Sequence, residues 1–464
     1  MAQRLSVSDA GWLLIEGRER PMHVGGLMLF EPPPDAGPHY LQDLVASALG
    51  YRDVRPPFNQ RLARPYGVAG TYQWVTEDEV ELEYHLRHLA LPEPGRIREL
   101  LSLVSSLHGS LLDRHRPLWE LYLIEGIEDG RFGIYTKTHH SMMDGVAAIR
   151  QILKSFTPDP DERELPPPWA LREAARTSPD QASGGSRPLA LAAELLRTVT
   201  QGVTSTAGAA VAVSKQVARA QFSAADVAPF QAPSCMLNQR LTSARRFVAQ
   251  SYELDRIRAV GKALDATIND VVLAMCSSAL RQYLTDHGDL PEKPLIALVP
   301  VSFRREGDAD AGNAISLVPA NLATHLEDPI ERLHLIRSSM DTVKQRLAGM
   351  STGQLVTYGL LMSAPIILGQ LTGLAGRIRP EYNVVISNVP GPTQPLYWNG
   401  ARMTGIYPLS LLTEGYAINI TQTSYAGSME FGITADRRAL PSVQRIIDHL
   451  EAGLVELEKV AGAA

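Results

Sequence analysis

Apolar and polar residues along the chain follow two rhythms, and where one gives way to the other the sequence divides itself. Residues 118–127 and 132–140 read as strands, and Val146, Ile149, Leu153 and Phe156 then recur at spacings of three and four. That spacing places the four side chains on one face of a helix, where they can pack on a sheet. Residues 1–157 are therefore expected to form one α/β unit. At 158–238 the pattern dissolves into TPDPDERELPPPW, SPDQASGGSRP and a tract of Ala, Thr and Val, which reads as a linker with helices. Within it, residues 189–221 suggest a poorly specified helix pair interrupted by Gly202 and Gly208. Strand and helix alternate again over 239–464, with RRFVAQSYEL, a helix that opens at Asn269, and strand-like runs at 295–303 and 315–322. No repeat links the two units.

Residues 347–376 carry no charged side chain. The run is long enough to cross a bilayer, but Pro365, Gln370 and several glycines interrupt it. Buried core, or an apolar helix pair lining a lipid channel or lying on a membrane surface, suits it better than a span.

Composition narrows the choice of function. Forty-four Lys and Arg against 50 Asp and Glu give a net charge of −6, without a basic block, which argues against nucleic-acid binding. Cys235 and Cys276 are the only cysteines, too few for a disulfide framework or a zinc cluster and in keeping with a reducing compartment. The N-terminal residues lack the apolar core of a secretory signal, so a cytoplasmic location is expected.

The chemistry concentrates in HHSMMDG at 139–145, between a strand and a helix. Consecutive strand residues face opposite ways, so His139 and His140 are not expected to share a pocket. His140 lies in register with Ile134, Thr136 and Thr138, and His139 with Arg131, Tyr135 and Lys137. Period two therefore points His140 to the interior and makes it the stronger candidate for a general base, since a neutral imidazole can take a proton from a hydroxyl near pH 7. Asp144 would hold the loop by an ion pair or cap the following helix. Gly145 would permit a close approach or an unusual dihedral. Adjacent histidines on a strand make a poor metal site. The chain also lacks a GxxxxGK phosphate loop. His23, His85 and His88 read as structural groups, and Cys276 as a small buried hydrophobe.

HHxxxDG at 139–145 occurs together with PMHVGGL at 21–27, RPLWELYLIEG at 116–126, the Asn269-Asp270 pair, PVSFR at 300–304 and NVVISNVPGP at 383–392. Across nearly its whole length the chain resembles the bacterial wax ester synthase/diacylglycerol acyltransferases; HHxxxDG alone is shared with nonribosomal peptide condensation domains. The resemblance implies an α/β fold of two coenzyme A-dependent acyltransferase-like sandwich domains, joined by a crossover linker, with the active-site channel between them. It implies that His140, paired in the motif with His139, is the base of an O-acyl transfer from acyl-CoA to a fatty alcohol or diacylglycerol. Asp144 would organise the loop, with Arg304 as a suggested partner. Asn269 would donate to the oxyanion or cap its helix, with Asp270 supplying negative charge in the first turn. Trp119 reads first as strand core, and Ser387 and Asn388 as part of a tight turn after a strand; the resemblance adds substrate contact as a second role for all three. Acyl-CoA would serve as co-substrate without a further cofactor or metal, at the inner membrane or a lipid-droplet surface. The alternatives are a non-catalytic lipid-binding or lipid-droplet protein and a condensation-type transferase using a carrier-bound donor.

Overall fold

A computed structural model describes residues 2–68, 70–171, 227, 231–302, 315–350, 354, 368–370 and 372–462. The helix pair expected at 189–221, Arg304 and most of the uncharged run at 347–376 lie outside the described residues.

The first large sheet is built around β7 (Phe132–His139), flanked by β2 (His23–Glu31) and β6 (Trp119–Glu125), both antiparallel to it, with β5 (Leu86–Ala90) at one edge. All eight residues of β7 are buried, so each face of the strand meets a core. Phe132 and Ile134 join the cluster that includes Ala148 and Ile152 of α5 (Gly145–Leu153). Tyr135, on the other face, packs with Leu100 and Val104 of α4 (Ile97–His108) and with Phe247. Also in this half are α1 (Val7–Ile15), α2 (Tyr40–Gly50), α3 (Leu82–His85) and a small sheet of β1 (Gln3–Arg4), β4 (Gln73–Thr76) and β3 (Gln60–Leu62).

The second large sheet has the order β10-β9-β11-β14-β15-β8: β8 (Arg245–Glu253), β9 (Ile296–Ser302), β10 (Ile315–Asn321), β11 (Val384–Val389), β14 (Ile418–Tyr425) and β15 (Ser428–Asp436). One face is covered by α6 (Leu254–Ala263), α7 (Ile268–Asp286), α8 (Pro329–Ala348) and α9 (Arg445–Ala461). Twelve of the 19 residues of α7 are buried, which explains why VVLAMCSSAL carries no polar stripe: it is a central helix with neighbours on most sides. Cys276 sits there fully buried, and burial pushes its thiol up to about 12, so it is an inert packing group. Among the described residues no single helix is long and apolar enough to cross a membrane.

The two halves are not separated by a clean cut in the chain. β13 (Ala401–Leu409) pairs with β2, and β12 (Tyr397–Trp398) pairs with β13, so residues from the expected C-terminal unit complete the first sheet. β13 also lies against β15 of the second sheet. A β-carbon on Gly432 would stand 1.9 Å from the Pro408 carbonyl oxygen, so only glycine permits that crossing. The Phe247 amide donates to Ser105 Oγ (2.8 Å), and Arg245 Nη2 to the Glu19 carbonyl (2.6 Å), fastening β8 to the first half.

Candidate active site

The motif turn starts where β7 leaves its sheet. His139 still pairs with His23 of β2, and the His140 amide donates to the Met22 carbonyl (2.9 Å). The amides of Met142 and Met143 both return to the His139 carbonyl, at 2.9 and 3.2 Å, and reverse the chain with both methionine side chains buried. Asp144 then caps α5, its Oδ1 accepting from the Ala147 amide at 2.8 Å. Of the two roles expected for Asp144, the structure shows the cap; its carboxylate is exposed and forms no ion pair with a described residue. Gly145 has an ordinary helical position, and a β-carbon there would meet only Val24 at 3.9 Å. Neither a close approach by a described residue nor an unusual dihedral requires glycine, which corrects that expectation.

The histidines are also arranged differently from the expectation. Alternation assumed one wet face of β7, but both faces are buried, and the polar one holds charge. Lys137 lies 3.0 Å from Glu120, with both side chains buried. His139 is completely buried, whereas His140, one step beyond the strand, is half-buried. The Ser141 amide donates to His139 Nδ1 (3.1 Å), so this nitrogen is an acceptor and the ring proton belongs on Nε2. That Nε2 lies 3.3 Å from Glu16 Oε1.

Glu16 is the centre of a network that local sequence spacing does not reveal. It ends α1, and its Oε1 also accepts from the Met22 amide (3.0 Å). Its Oε2 accepts from Arg114 Nε and Nη2, at 2.9 and 2.8 Å. Burial by itself would raise the carboxyl, but His139, the Met22 amide and Arg114 outweigh it and hold it at about 2. The same Met22 that donates to Glu16 accepts from the His140 amide, so the buried pair and the half-open histidine share one stretch of backbone. A lone acid after the apolar run WLLI looks ordinary in sequence, and its partners lie 98 and 123 positions away.

The His140 ring packs on Trp12 of α1, with centroids 4.3 Å apart and planes inclined by 36°. Burial lowers its pKa to about 4, against the opposing effect of Asp144. The ring is therefore neutral at pH 7 and free to accept a proton, although its low basicity limits the driving force for transfer.

Other expected site residues lie apart from this turn. Trp119 pairs with Thr138 in the sheet, stacks on His85 (4.4 Å) and Trp169 (5.4 Å), and donates from Nε1 to the Phe58 carbonyl (2.8 Å). These contacts place Trp119 in the core of the first half. Asn269 does not cap α7. Thr267 is the cap, and it exchanges bonds with Asp270: the Thr267 amide donates to Asp270 Oδ2 (3.0 Å) and the Asp270 amide to Thr267 Oγ1 (3.2 Å). Asp270 is thereby a buried cap partner, and Asn269 is left half-buried in the first turn. Ser387 and Asn388 lie on β11 opposite Thr421 and Gln422. No hydrogen bond among the described residues joins Asn269, Ser387 or Asn388 to His140.

The sequence model of the wax ester synthase/diacylglycerol acyltransferase catalytic domain matches residues 5–272, and that of the WS/DGAT C-terminal domain matches residues 311–458. A solved wax ester synthase/diacylglycerol acyltransferase from Marinobacter aquaeolei VT8 superposes with a TM-score of 0.81 at 44% identity, covering 99% of this chain and 100% of that one. The O-acyltransferase WSD of Acinetobacter baylyi is 43% identical over 97% of this chain and 96% of its own length. The first condensation domain of the calcium-dependent antibiotic synthetase shares the fold, with a TM-score of 0.57 at 14% identity, covering 100% of this chain and 97% of that domain.

Proposed function

Because the chain belongs to the wax ester synthase/diacylglycerol acyltransferase family and is an O-acyltransferase of wax ester and triacylglycerol synthesis, we propose that His140 is the base of its reaction. The acyl donor is a long-chain acyl-CoA, and the acceptor is a fatty alcohol or diacylglycerol. A ring nitrogen of His140 takes the hydroxyl proton as the oxygen attacks the thioester carbonyl. The tetrahedral intermediate then collapses, the C–S bond breaks, and the proton passes to the leaving thiolate. An ester C–O bond replaces the thioester, and no protein nucleophile takes part. The observation that supports this reading best is the neutral, half-buried His140 on a turn otherwise fixed by backbone bonds and the Asp144 cap.

His139 acts behind it as a positioning residue, with Glu16 and Arg114 fixing its tautomer and the turn. Asn269 donates to the oxyanion, a role compatible with Thr267 and Asp270 having taken over the cap. Ser387 and Asn388 contact the acyl donor. Since both substrates are lipidic, the reaction takes place with the enzyme bound peripherally at the inner membrane or a lipid droplet. Purified protein with palmitoyl-CoA and hexadecanol or diacylglycerol is expected to release free thiol only when acceptor is present. Release without acceptor would mean a hydrolase, and no release in either mixture a binding protein.

A further inference from the structure

The acyl-CoA donor of the reaction proposed above carries a phosphorylated nucleotide, and the described residues contain a cavity suited to that group. The cavity, about 470 Å³, opens in the second half beside the starts of β11 and β14. Ligand pockets of this order hold nucleotide-sized molecules. Lys293, Arg377 and Arg379 line it, together with Ile378, Pro380 and Tyr416. Lys293 and Arg377 are exposed, and their side chains have no ion-pair or hydrogen-bond partner among the described residues. Arg379 is fixed from below, donating from Nε to the Ala232 carbonyl (3.2 Å) and from Nη2 to the Gln231 carbonyl (3.0 Å). Tyr416 stacks on Tyr382 with centroids 3.8 Å apart, which makes a rigid aromatic wall.

The balance of charge on the cavity is positive. Among the described residues Glu381 is its one lining carboxyl, and burial raises that group to about 7. The nearby Glu414 is occupied by Arg240 (3.2 Å) and lies 4.0 Å from Arg20. Two uncommitted cations beside an aromatic and proline surface suit a phosphate ester joined to a flat ring better than a neutral lipid.

The cavity is also connected to the motif turn. Gln370, on its wall, exchanges two hydrogen bonds with the backbone of Glu414, at 2.8 and 3.1 Å. Glu414 reaches Arg20, two residues before Met22, whose carbonyl holds the His140 amide. A donor seated here by its nucleotide would lie at the His140 end of the first sheet.

Resting on the acyltransferase reading above, we propose that this cavity holds the phosphorylated nucleotide head of the thioester donor, with Lys293 and Arg377 contacting phosphate and Tyr416 and Pro380 bordering the base. The test uses full-length protein and the double variant Lys293→Ala/Arg377→Ala. Both side chains are exposed, and an unchanged melting curve verifies the fold. Titration calorimetry with adenosine 3′,5′-bisphosphate is expected to show Kd about tenfold or more weaker in the variant, as for loss of charge-assisted contacts. In turnover, the ratio of kcat/KM for palmitoyl-CoA to that for palmitoyl-N-acetylcysteamine, which lacks the nucleotide, is expected to fall about tenfold. An unchanged Kd, or equal loss with both donors, overturns the assignment. Loss of binding to phosphatidylglycerol vesicles with unchanged bisphosphate affinity also overturns it and makes the cavity a lipid-headgroup site. Bisphosphate binding without wild-type turnover of either donor would sink the acyltransferase reading while leaving the nucleotide pocket standing.

Discussion

Two places where a helix begins, the motif turn before α5 and the start of α7, use acidic caps to different ends. At α7, Thr267 and Asp270 exchange hydrogen bonds within a single turn, and among the described residues that capping box ties in no distant segment. At the motif turn, Asp144 makes a similar local cap, but the residue before the turn reaches Glu16, and through it Arg114 and Met22, from two distant stretches of chain. A cap starts a helix wherever it lies. Binding distant partners places one histidine relative to the whole molecule, and this separates a site from a helix end.

The largest expected effect tests the half-open side of that contrast. His140→Ala is expected to lower kcat by about 10²- to 10⁴-fold with an unchanged circular dichroism spectrum and melting curve. Wild-type turnover from this variant would end the base assignment.

Glu16→Gln tests the buried side. It leaves Arg114 without its ion partner, and breaking a buried pair costs about 3–5 kcal/mol, which urea unfolding would register. The pH dependence has a fixed sign. The Glu16 carboxyl is held near 2 against an ordinary 4.5, so its stabilisation is complete above 4.5 and is lost as pH falls towards 2. Wild type should lose stability through that window more steeply than the variant. Parallel acid-unfolding curves would show that Glu16 contributes nothing there.

At α7 the comparison predicts a division between neighbours. Asn269→Ala is expected to lower kcat by about 10²-fold or more, at the scale of one oxyanion donor, with little change in stability. Asp270→Ala should instead destabilise the fold, because it removes the carboxylate that accepts from the Thr267 amide and hydroxyl in the capping box. If Asn269→Ala unfolds the protein and retains kcat, the residue is structural.

The smallest effect belongs to the local cap at the motif. Asp144→Asn keeps an acceptor for the Ala147 amide and should leave stability nearly unchanged, whereas Asp144→Ala should cost about 1 kcal/mol in thermal or denaturant unfolding. A much larger loss in both variants would show that the carboxylate does more than cap α5.

The strands at 118–127 and 132–140 and the helix carrying Val146 and Ile149 were legible because period two and period three-to-four survive in a single sequence. The depth of the two histidines was not. Parity assigns faces but cannot tell whether both are covered, and here α4 buries the one carrying Lys137. Asn269 reads as a helix opener because Asn is a good cap residue, but Thr267, two residues earlier, holds the reciprocal bond to Asp270. Trp119 reads as strand core from its apolar neighbours, but its surroundings are assembled from residues 58, 85 and 169, which no local pattern joins. Glu16 is hidden in the sequence for the same reason, since His139 and Arg114 reach it only in the fold.

The return of β13 to the first sheet sets a rule for dissecting the molecule. A fragment ending before the second half would present β2, nine residues with seven of them buried, as a bare hydrogen-bonding edge. Such a piece would invite self-association, and the complementary piece would carry a dangling ribbon with its docking groove missing. Split versions of this enzyme should therefore regain structure only when both parts are produced together.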